Sequence, residues 1–355
     1  MRITKFLAVS ALTVLLAACG SGGDSTPQFG SVISFGDSLS DAGAYKVGSI
    51  AQVGGGKFTT NPGTVWIENV AQLYGLTITP NKVGGFGVAP ATCPKPSCTA
   101  YGQGGSRVTS QPGIGNSDSS QGLNSGTQTI PMKTQIADHL AQNGGKFKAD
   151  DLVFVWGGNN DIFVWLDLTG KTLPNGLTVT PTIAQGQVQQ AATELVTLIA
   201  DQILAKGAQY VAVLNLPDSS KTPFGNFGLD ANGRTYLSGL VDAFNATMNA
   251  EIKKKNLNVL IIDSNTAAKD QVANPTKYGF AAATAGLPAC DTAKILNITG
   301  GFVTNGSSLF CSANTLAAAG ADTSYAFADS VHPTTLGHKV ISDFVKGELE
   351  KKGWL

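Results

Sequence analysis

The sequence predicts an α/β fold built on a parallel β-sheet. Short apolar segments rich in β-branched residues, which are typical of buried strands, alternate along the chain with longer segments of helical periodicity. Such an alternation is the pattern of a parallel sheet covered by helices. The chain has 355 residues, no internal repeat and no clear boundary after residue 30, so residues 31–355 are predicted to form one large domain.

Four segments are predicted to form the strands of this sheet. Each is short, apolar and bounded by turn-forming residues, as expected of strands that are buried on both faces. The four are Ser31–Phe35, Leu152–Trp156, Gln209–Leu214 and Leu257–Ile262.

Longer segments with helical periodicity lie between and after these strands. In Val188–Lys206 the apolar residues recur at intervals of three and four, so that one face of a helix would be apolar. The predicted helices are Pro131–Asn143, Val188–Lys206, Leu237–Lys255 and Thr334–Lys351.

Two further segments are predicted to be long loops. Ser106–Thr129 is rich in Ser, Gly, Gln and Asn, and Asn265–Ser324 is rich in Ala and Gly. Loops this long inside a compact domain are usually functional or disordered. In an enzyme they would form the walls of a substrate cleft, and the alternative is a surface insertion with no role in the site.

The N-terminus has the pattern of a secretory signal. Arg2 and Lys5 supply positive charge, and Phe6–Ala18 is an apolar segment that ends in small residues. This segment is too short to cross a bilayer as a helix, which takes about 20 residues. Residues 1–18 are therefore predicted to be a signal peptide, in preference to a buried helix.

The signal ends in a sequence that resembles the lipobox of bacterial lipoproteins. Leu16–Gly20 reads LAACG, and the resemblance implies that Cys19 becomes the first mature residue and carries lipid. Residues 19–30 would then be a lipidated N-terminus and flexible tether. The expected location is the bacterial cell envelope, anchored at the outer membrane, or the medium if the anchor is not made. The alternative is an ordinary cleaved signal with an incidental cysteine.

The other four cysteines are an even number, as expected in an oxidising compartment. Proximity in the chain favours the pairs Cys93–Cys98 and Cys290–Cys311, although the sequence alone allows three pairings. A zinc site is the alternative use of these cysteines. It is disfavoured because no CxxC pair and no nearby histidines accompany them.

The balanced charge of the chain predicts no strong electrostatic field that would attract a highly charged partner. The chain has 24 basic and 24 acidic residues, and no basic segment has interleaved aromatic residues. A nucleic acid partner is therefore not expected, and nothing implies a protein partner.

Ser38 is the candidate nucleophile. It follows the strand Ser31–Phe35 and the turn-forming Gly36, at the carboxyl end of a strand, where open α/β sheets bind their ligands. Near the start of a helix, free backbone N–H groups could also help to stabilise an oxyanion. The alternative is that Asp37 or Ser38 only caps a helix.

A serine hydroxyl needs a base, and the chain has three histidines. His139 and His338 lie inside predicted helices and are interpreted as structural. His332 instead precedes Pro333, which keeps it out of the helical conformation at the start of the last helix. Asp329 lies three residues earlier, where its carboxylate could orient the imidazole. The alternative is a helix start at which Asp329 only caps.

Two glycine-rich segments could supply donors for the oxyanion. The strand Leu152–Trp156 is followed by two glycines and then by Asn159 and Asn160. Because adjacent residues leaving a strand point in opposite directions, only one of these side chains is expected to face the oxyanion. Gly104 and Gly105 could supply a backbone N–H, and simple turns are the alternative for both segments.

Together these segments resemble the blocks of the GDSL, or SGNH, hydrolase family, in the family's order. Phe35–Asp41 reads FGDSLSD, Gln103–Arg107 reads QGGSR, Trp156–Asp161 reads WGGNND and Asp329–Pro333 reads DSVHP. The first and last blocks are the most specific. The second departs from the family, because the asparagine that often precedes its glycine pair by four residues is replaced here by Ala100.

The resemblance implies the fold, the activity and the role of each matched residue. It implies a flavodoxin-like three-layer α/β/α sandwich with a parallel sheet, and ester hydrolysis without a metal or cofactor. Ser38, His332 and Asp329 would form the catalytic triad. Ser38, Gly105 and Asn160 would form the oxyanion hole, with Gly104 and Asn159 as lesser candidates.

A serine ester hydrolase that acts on short-chain carboxylic esters is therefore the predicted function. Within the family, a lysophospholipase or acyltransferase and an O-deacetylase of surface polysaccharide are the alternatives. A surface lipoprotein that uses the fold only to bind sugar or peptide is disfavoured, because the serine, histidine and aspartate are all present.

Overall fold

The structure is a computed structural model that describes residues 26–116 and 126–355. The predicted signal peptide, the predicted lipidation site at Cys19 and residues 117–125 lie outside the described residues. In the described part of the chain, no helix is long and apolar enough to span a membrane.

A four-stranded parallel sheet forms the centre of the molecule. Its strand order is β1-β4-β5-β6, and a separate antiparallel pair, β2-β3, lies outside it. The strands are β1 Ser31–Gly36, β2 Lys82–Gly85, β3 Val88–Thr92, β4 Asp151–Trp156, β5 Tyr210–Leu214 and β6 Leu260–Ile262. All four predicted strands are therefore confirmed, although β6 is shorter than predicted.

The β2-β3 pair was not predicted from the sequence. The two strands contain three glycines or prolines, Gly84, Gly85 and Pro90, and these residues weaken the strand signal. β3 is largely exposed, so it also lacks the apolar pattern of a buried strand.

Ten helices are described, and all four predicted helices are among them. The predicted helix Val188–Lys206 begins earlier, at Pro181, and its last two turns are irregular. The helices are α1 Gly48–Gln52, α2 Trp66–Leu73, α3 Met132–Gln142, α4 Asn159–Leu168, α5 Pro181–Leu198, α6 Pro223–Gly228, α7 Ala231–Lys254, α8 Ser264–Ala273, α9 Thr292–Ile298 and α10 Thr335–Lys352.

Helices cover both faces of the sheet, which gives the predicted three-layer α/β/α sandwich. On one face, Trp66 of α2 packs edge-on against Phe154 and Trp156 of β4, and α10 packs against α2. On the other face, Phe35 of β1 contacts His139 of α3, and α4, α5 and α7 pack together. β1, β4 and β5 are buried on both faces, which explains why they read as continuous apolar segments, whereas β6 is only partly buried.

The prediction of a long loop over Asn265–Ser324 is wrong in part, because this segment contains most of α8 and all of α9. Both helices are short, with ten and seven residues, so neither has the long apolar stripe on which the periodicity signal depends. Their starts are fixed locally instead, since the Asp263 and Asp291 carboxylates accept N–H groups of the first turns. The described parts of Ser106–Thr129 contain no helix or strand, as predicted.

Two disulfides are formed, between Cys93 and Cys98 and between Cys290 and Cys311. The Cα atoms are 5.9 Å apart in the first and 5.8 Å apart in the second. The second disulfide belongs to a small apolar cluster that includes Tyr45, separate from the main core around the sheet.

Candidate active site

Ser38 lies directly after β1, at the carboxyl end of the sheet. Gly36 ends the strand, and the Asp37 carboxylate then accepts the Leu39 N–H, so that one short helical turn begins at Ser38. This turn directs the serine towards a large cavity, where the residue is only 8% exposed.

His332 and Asp329 complete a hydrogen-bonded line from this serine. The Ser38 hydroxyl donates to His332 Nε2 over 2.8 Å. On the other side of the ring, His332 Nδ1 donates to the Asp329 carboxylate, with N–O distances of 2.8 and 2.9 Å. A nucleophile, a base within reach of its proton and an acid that orients the base are the parts that acyl transfer from serine requires.

The Asp329 carboxylate is held in its ionised form. It is buried, and it accepts the backbone N–H groups of Val331 and His332 on Oδ1 and of Ser308 on Oδ2. Burial alone would raise the pKa of Asp329, but the attraction of His332 and these donors outweighs it and holds the pKa well below its usual range. An acid with this pKa carries a full negative charge next to the imidazole throughout the neutral range.

Phe58 fixes the imidazole from one face. Its ring centroid lies 4.8 Å from that of His332, and on other sides it packs against Tyr45 and Gly104. The Phe58 carbonyl also accepts a hydrogen bond from His338 Nε2 at 3.3 Å. This role could not be predicted from the sequence, because an isolated aromatic residue in a glycine-rich segment has no motif around it.

Of the two candidate glycines, the geometry favours Gly105. The Gly104 N–H already donates to Asp41 Oδ2 over 2.9 Å, and the Gly104 carbonyl accepts the Tyr45 hydroxyl. Among residues 26–116 and 126–355, the N–H groups of Gly105 and Ser38 have no hydrogen-bond partner. Gly105 has a φ of +80°, a conformation that favours glycine, and it lines the same cavity as Ser38.

The expectation that Asn159 and Asn160 leave a strand in opposite directions is wrong. Gly158, with a φ of +128°, ends the extended segment, so both asparagines belong to the first turn of α4 and both line the cavity. Successive helical side chains diverge by only about 100°. Asn160 Nδ2 donates to the Ser106 carbonyl over 2.9 Å, and one N–H remains for a ligand. Asn159 Oδ1 is buried and has no partner in the described part of the chain.

A buried ion pair joins the two donor segments. Arg107 Nε lies 3.0 Å from Asp161 Oδ1, and Asp161 Oδ2 accepts the Val108 N–H. Burial raises the pKa of Asp161, and the Arg107 charge opposes that rise. The pair ties the segment after Gly105 to the start of α4, which fixes the distance between the candidate backbone and side-chain donors.

The cavity at this site has a volume of about 1110 Å³. It extends from Ser38 across the carboxyl ends of the strands, and much of its wall is aromatic. Its phenylalanines include Phe86, Phe163, Phe224, Phe280, Phe302 and Phe310. Across residues 26–116 and 126–355, no group of three or more His, Cys, Asp or Glu side chains is placed to hold a metal ion.

Comparison with known sequences identifies the family. A model of the family described as GDSL-like lipase/acylhydrolase matches residues 32–345. This chain belongs to that family. The match extends from β1 into the last helix and so includes every candidate catalytic residue.

Several curated proteins are similar to this chain. Esterase EstA of Pseudomonas aeruginosa is 26% identical over 352 residues, which cover 94% of this chain and 50% of that protein. The phosphatidylcholine-sterol acyltransferase of Aeromonas hydrophila is 26% identical over 216 residues, which cover 59% of this chain and 51% of that protein. The chain spans about half the length of the curated relatives it matches.

Solved structures of similar proteins were also found. An extracellular lipase from Streptomyces rimosus aligns with a TM-score of 0.40 and 15% identity, over 90% of this chain and 99% of that chain. A member of the lipolytic protein G-D-S-L family from Veillonella parvula aligns with a TM-score of 0.40 and 14% identity, over 89% of this chain and 96% of that chain.

The other two histidines, His139 and His338, are buried and make no hydrogen bond to Ser38, His332 or Asp329. His139 of α3 stacks on Phe147, and burial lowers its pKa to about 4. His338 of α10 is fully buried between the Trp66 N–H and the Phe58 carbonyl, and burial lowers its pKa to about 3. Both are therefore neutral at physiological pH, as expected of structural histidines.

Two buried carboxylates close to Ser38 in the chain, Asp37 and Asp41, have raised pKa values. Burial raises the pKa of Asp41 to about 6, although three backbone N–H groups donate to it. Burial also raises the pKa of Asp37 to about 6; the Leu39 N–H and the His332 charge oppose the rise, and the Asp161 charge adds to it. Asp37 Oδ2 has no hydrogen-bond partner in the described part of the chain.

Asp37→Asn is expected to stabilise the protein at pH 7.5 and to lose that advantage in acid. The folded-state pKa of about 6 exceeds the ordinary value of 3.8, so the contribution of Asp37 to stability is full below about pH 4 and is lost as the pH rises through 6. Asparagine does not ionise, and it keeps the acceptor for Leu39. The gain in unfolding free energy at pH 7.5 should be at most about 3 kcal/mol.

Urea unfolding of both proteins at pH 4 and pH 7.5 measures this difference. The same change at Asp343, whose side chain is 59% exposed, is the control and should show no such pH dependence. If the difference in unfolding free energy between Asp37→Asn and the parent protein is the same at both pH values, the raised pKa of Asp37 is contradicted.

Proposed function

We propose that this chain is a serine hydrolase that cleaves carboxylic esters through an acyl-enzyme. The observation that carries the proposal is the continuous hydrogen-bonded line from the Ser38 hydroxyl through His332 to Asp329, with 2.8 Å at each junction. The family and the esterase names of its relatives support the same reaction class.

In the first half of the reaction, Ser38 Oγ attacks the carbonyl carbon of the ester while its proton passes to His332 Nε2. The Asp329 carboxylate stabilises the imidazolium that forms. Negative charge develops on the carbonyl oxygen and is stabilised by the N–H groups of Ser38 and Gly105 and by the Asn160 side chain.

In the second half, the bond between the carbonyl carbon and the alcohol oxygen breaks. The alcohol leaves with the proton held by His332, and the acyl group stays on Ser38 as an ester. Water then attacks that ester while His332 takes its proton, and collapse of the intermediate releases the carboxylic acid and restores the serine.

The cavity favours acyl chains longer than the short ones that the sequence predicts. Its volume of about 1110 Å³ is slightly above the common range for ligand sites, about 300–1,000 Å³, and its wall is largely apolar. Each buried methylene contributes about 0.8 kcal/mol to binding, so a longer acyl chain should bind more tightly against an apolar wall of this size. We therefore propose that esters with medium-length acyl chains are cleaved best.

A series of p-nitrophenyl esters from acetate to palmitate tests both proposals, with Ser38→Ala as the control for background hydrolysis. If the parent protein releases p-nitrophenol and Ser38→Ala does not, the result supports ester hydrolysis by this protein. A rise in kcat/KM from acetate to octanoate supports the chain-length preference, and a maximum at acetate would restore the short-chain prediction. Equal release by both proteins would contradict the hydrolase itself.

Acyl transfer to an alcohol is a second candidate function, favoured by the similarity to a phosphatidylcholine-sterol acyltransferase. The same acyl-enzyme would serve, with an acceptor alcohol in place of water. Product analysis with an added acceptor alcohol decides between the two. Formation of the new ester at the expense of free acid supports transfer, and free acid alone contradicts it.

Asn160→Ala is expected to lower kcat by about 10²–10³, or 2.7–4 kcal/mol, which is typical of the loss of one oxyanion donor. KM should change little, because the contact strengthens mainly in the transition state. Asn159→Ala is the matched control and should cost less than about tenfold. Steady-state kinetics, with circular dichroism to verify folding, measures both. The reverse order of losses would move the oxyanion role to Asn159.

Export to the cell envelope is proposed from the signal-like N-terminus and supported by the two disulfides, which persist in oxidising compartments. Lipid attachment at Cys19 rests on the LAACG sequence alone. Cys19→Ser should move the protein from the detergent phase to the aqueous phase. Unchanged partitioning together with an unchanged mass would contradict the anchor.

A further inference from the structure

The Asp329 carboxylate accepts a hydrogen bond from Ser308, a residue outside the four segments that resemble the family's motifs. The Ser308 backbone N–H donates to Asp329 Oδ2 over 2.8 Å, and the same oxygen accepts His332 Nδ1 over 2.8 Å. Ser308 is fully buried, and its own hydroxyl has no hydrogen-bond partner in the described part of the chain. The contribution of Ser308 to this site therefore comes from its main chain.

Neighbouring contacts fix the position of this N–H group. The Asn61 side chain donates to the Ser308 carbonyl over 3.2 Å, and the Gly56 N–H donates to the Leu309 carbonyl over 2.8 Å. The short helical turn that starts at Ser308 ends directly before Cys311, which is fully buried.

The partner cysteine holds the other side of the catalytic turn. The Cys290 N–H donates to the Ala328 carbonyl over 2.9 Å, and the Ala328 N–H donates to the His332 carbonyl over 2.7 Å. The Cys290–Cys311 disulfide thus joins two segments covalently. The segment at Cys311 is hydrogen-bonded to the Asp329 carboxylate through Ser308, and Cys290 is hydrogen-bonded to the main chain of Ala328, next to Asp329.

We propose that the Ser308 N–H is a positioning donor for the catalytic acid and that the Cys290–Cys311 disulfide keeps it in place. The inference rests on the proposed triad. A carboxylate with two oxygens and one imidazole to orient can rotate unless each oxygen is held. The N–H groups of Val331 and His332 hold Oδ1, and Ser308 holds Oδ2.

Ser308→Pro tests the donor directly, because proline has no N–H. The main-chain conformation suits proline, because Ser308 is the first residue of its helical turn and Ser307 before it has φ −53° and ψ 130°. The proline Cδ takes the place of the N–H hydrogen that points at Asp329 Oδ2, so the carboxylate loses this donor and must also shift. We expect kcat to fall at least about 10-fold, the lower end of the effect of one hydrogen bond to a charged group. KM should stay within about threefold, because the carboxylate does not contact substrate.

Ser308→Ala is the matched variant, since it removes the side-chain hydroxyl and keeps the N–H. Its loss in kcat should be several-fold smaller than that of Ser308→Pro, with both melting temperatures recorded. Equal losses in kcat, or a loss in Ser308→Pro that falls on KM and not on kcat, would overturn the proposal.

The disulfide is tested by comparing two double variants. Cys290→Ala/Cys311→Ala should lower kcat about tenfold in protein that is still folded by circular dichroism at the assay temperature. Cys93→Ala/Cys98→Ala removes the other disulfide, which does not line the cavity, and should leave kcat unchanged. Equal kcat values for the two variants would overturn the role of the disulfide.

These outcomes separate failure of the inference from failure of the proposed function. If the parent protein cleaves esters and is labelled at Ser38 by a fluorophosphonate, the hydrolase stands whatever the Ser308 variants do. If Ser308→Pro then matches Ser308→Ala in both kcat and labelling rate, the positioning role of the N–H is excluded. Slower labelling of Ser308→Pro alone supports it.

Discussion

Ser38→Ala is expected to lower kcat by about 10⁶-fold, the effect of removing the nucleophile from a serine hydrolase. Alanine cannot form the acyl-enzyme, and the residual rate would come from the oxyanion donors and from substrate binding alone. KM should remain of the same order, because the cavity wall is unchanged. The fold should also survive, since the Asp37 carboxylate still accepts the Leu39 N–H at the start of the turn.

Stopped-flow release of p-nitrophenol measures this loss. The parent protein should show an initial burst if deacylation limits the rate, and Ser38→Ala should show none at any substrate concentration. Ser40→Ala, two residues along the same turn, is the matched control and should keep most of the activity. A loss at Ser40 as large as that at Ser38 would contradict the choice of nucleophile.

Asp329→Asn is expected to lower kcat by about 10⁴-fold. An asparagine in this place still offers an oxygen to the N–H groups of Val331 and His332. Its NH₂ group, however, would take the place of Oδ2 and face both His332 Nδ1 and the Ser308 N–H, so that donors would oppose each other. The imidazole would adopt the wrong tautomer or turn away from Ser38, and the charge that stabilises the imidazolium would be lost.

The kinetics of Asp329→Asn at pH 7.5, with a melting curve, test this expectation. Asp343→Asn, an exposed change on α10, is the control and should be indistinguishable from the parent protein. A loss of less than tenfold in a folded Asp329→Asn variant would show that Asp329 does not orient His332.

A site residue could be predicted from the sequence when its partner is close in the chain or when it lies in a specific motif. Asp329 and His332 lie three residues apart, and a turn alone brings their side chains together. Ser38 follows a strand with a clear apolar pattern. Three strands of the sheet, β1, β4 and β5, were predictable for a different reason, because burial on both faces makes each one a continuous apolar segment.

The residues that the sequence could not predict act across the fold. The Ser308 N–H reaches a carboxylate 21 residues away, and a main-chain donor leaves no signature in residue identity. Phe58 contacts His332 only after the sheet and the last helix have assembled. The choice between Gly104 and Gly105 depended on which N–H Asp41 already binds, and a hydrogen-bond partner of that kind is visible only in three dimensions.

The error over Asn159 and Asn160 has a similar cause. The prediction assumed that the chain leaves β4 as extended backbone, but the positive φ of Gly158 starts a helix at once. The direction of a side chain after a strand therefore depends on one dihedral angle, which residue type alone leaves open at a glycine.

Covalent labelling with an active-site reagent is the most direct test of Ser38 as the nucleophile. The intact protein would be treated with a fluorophosphonate, digested, and mapped by mass spectrometry, with heat-denatured protein as the control. We expect one modified peptide, which carries the adduct on Ser38, and no adduct after denaturation. An adduct on any other serine of the folded protein, or no adduct in a protein that cleaves esters, would contradict the assignment of Ser38 as the nucleophile.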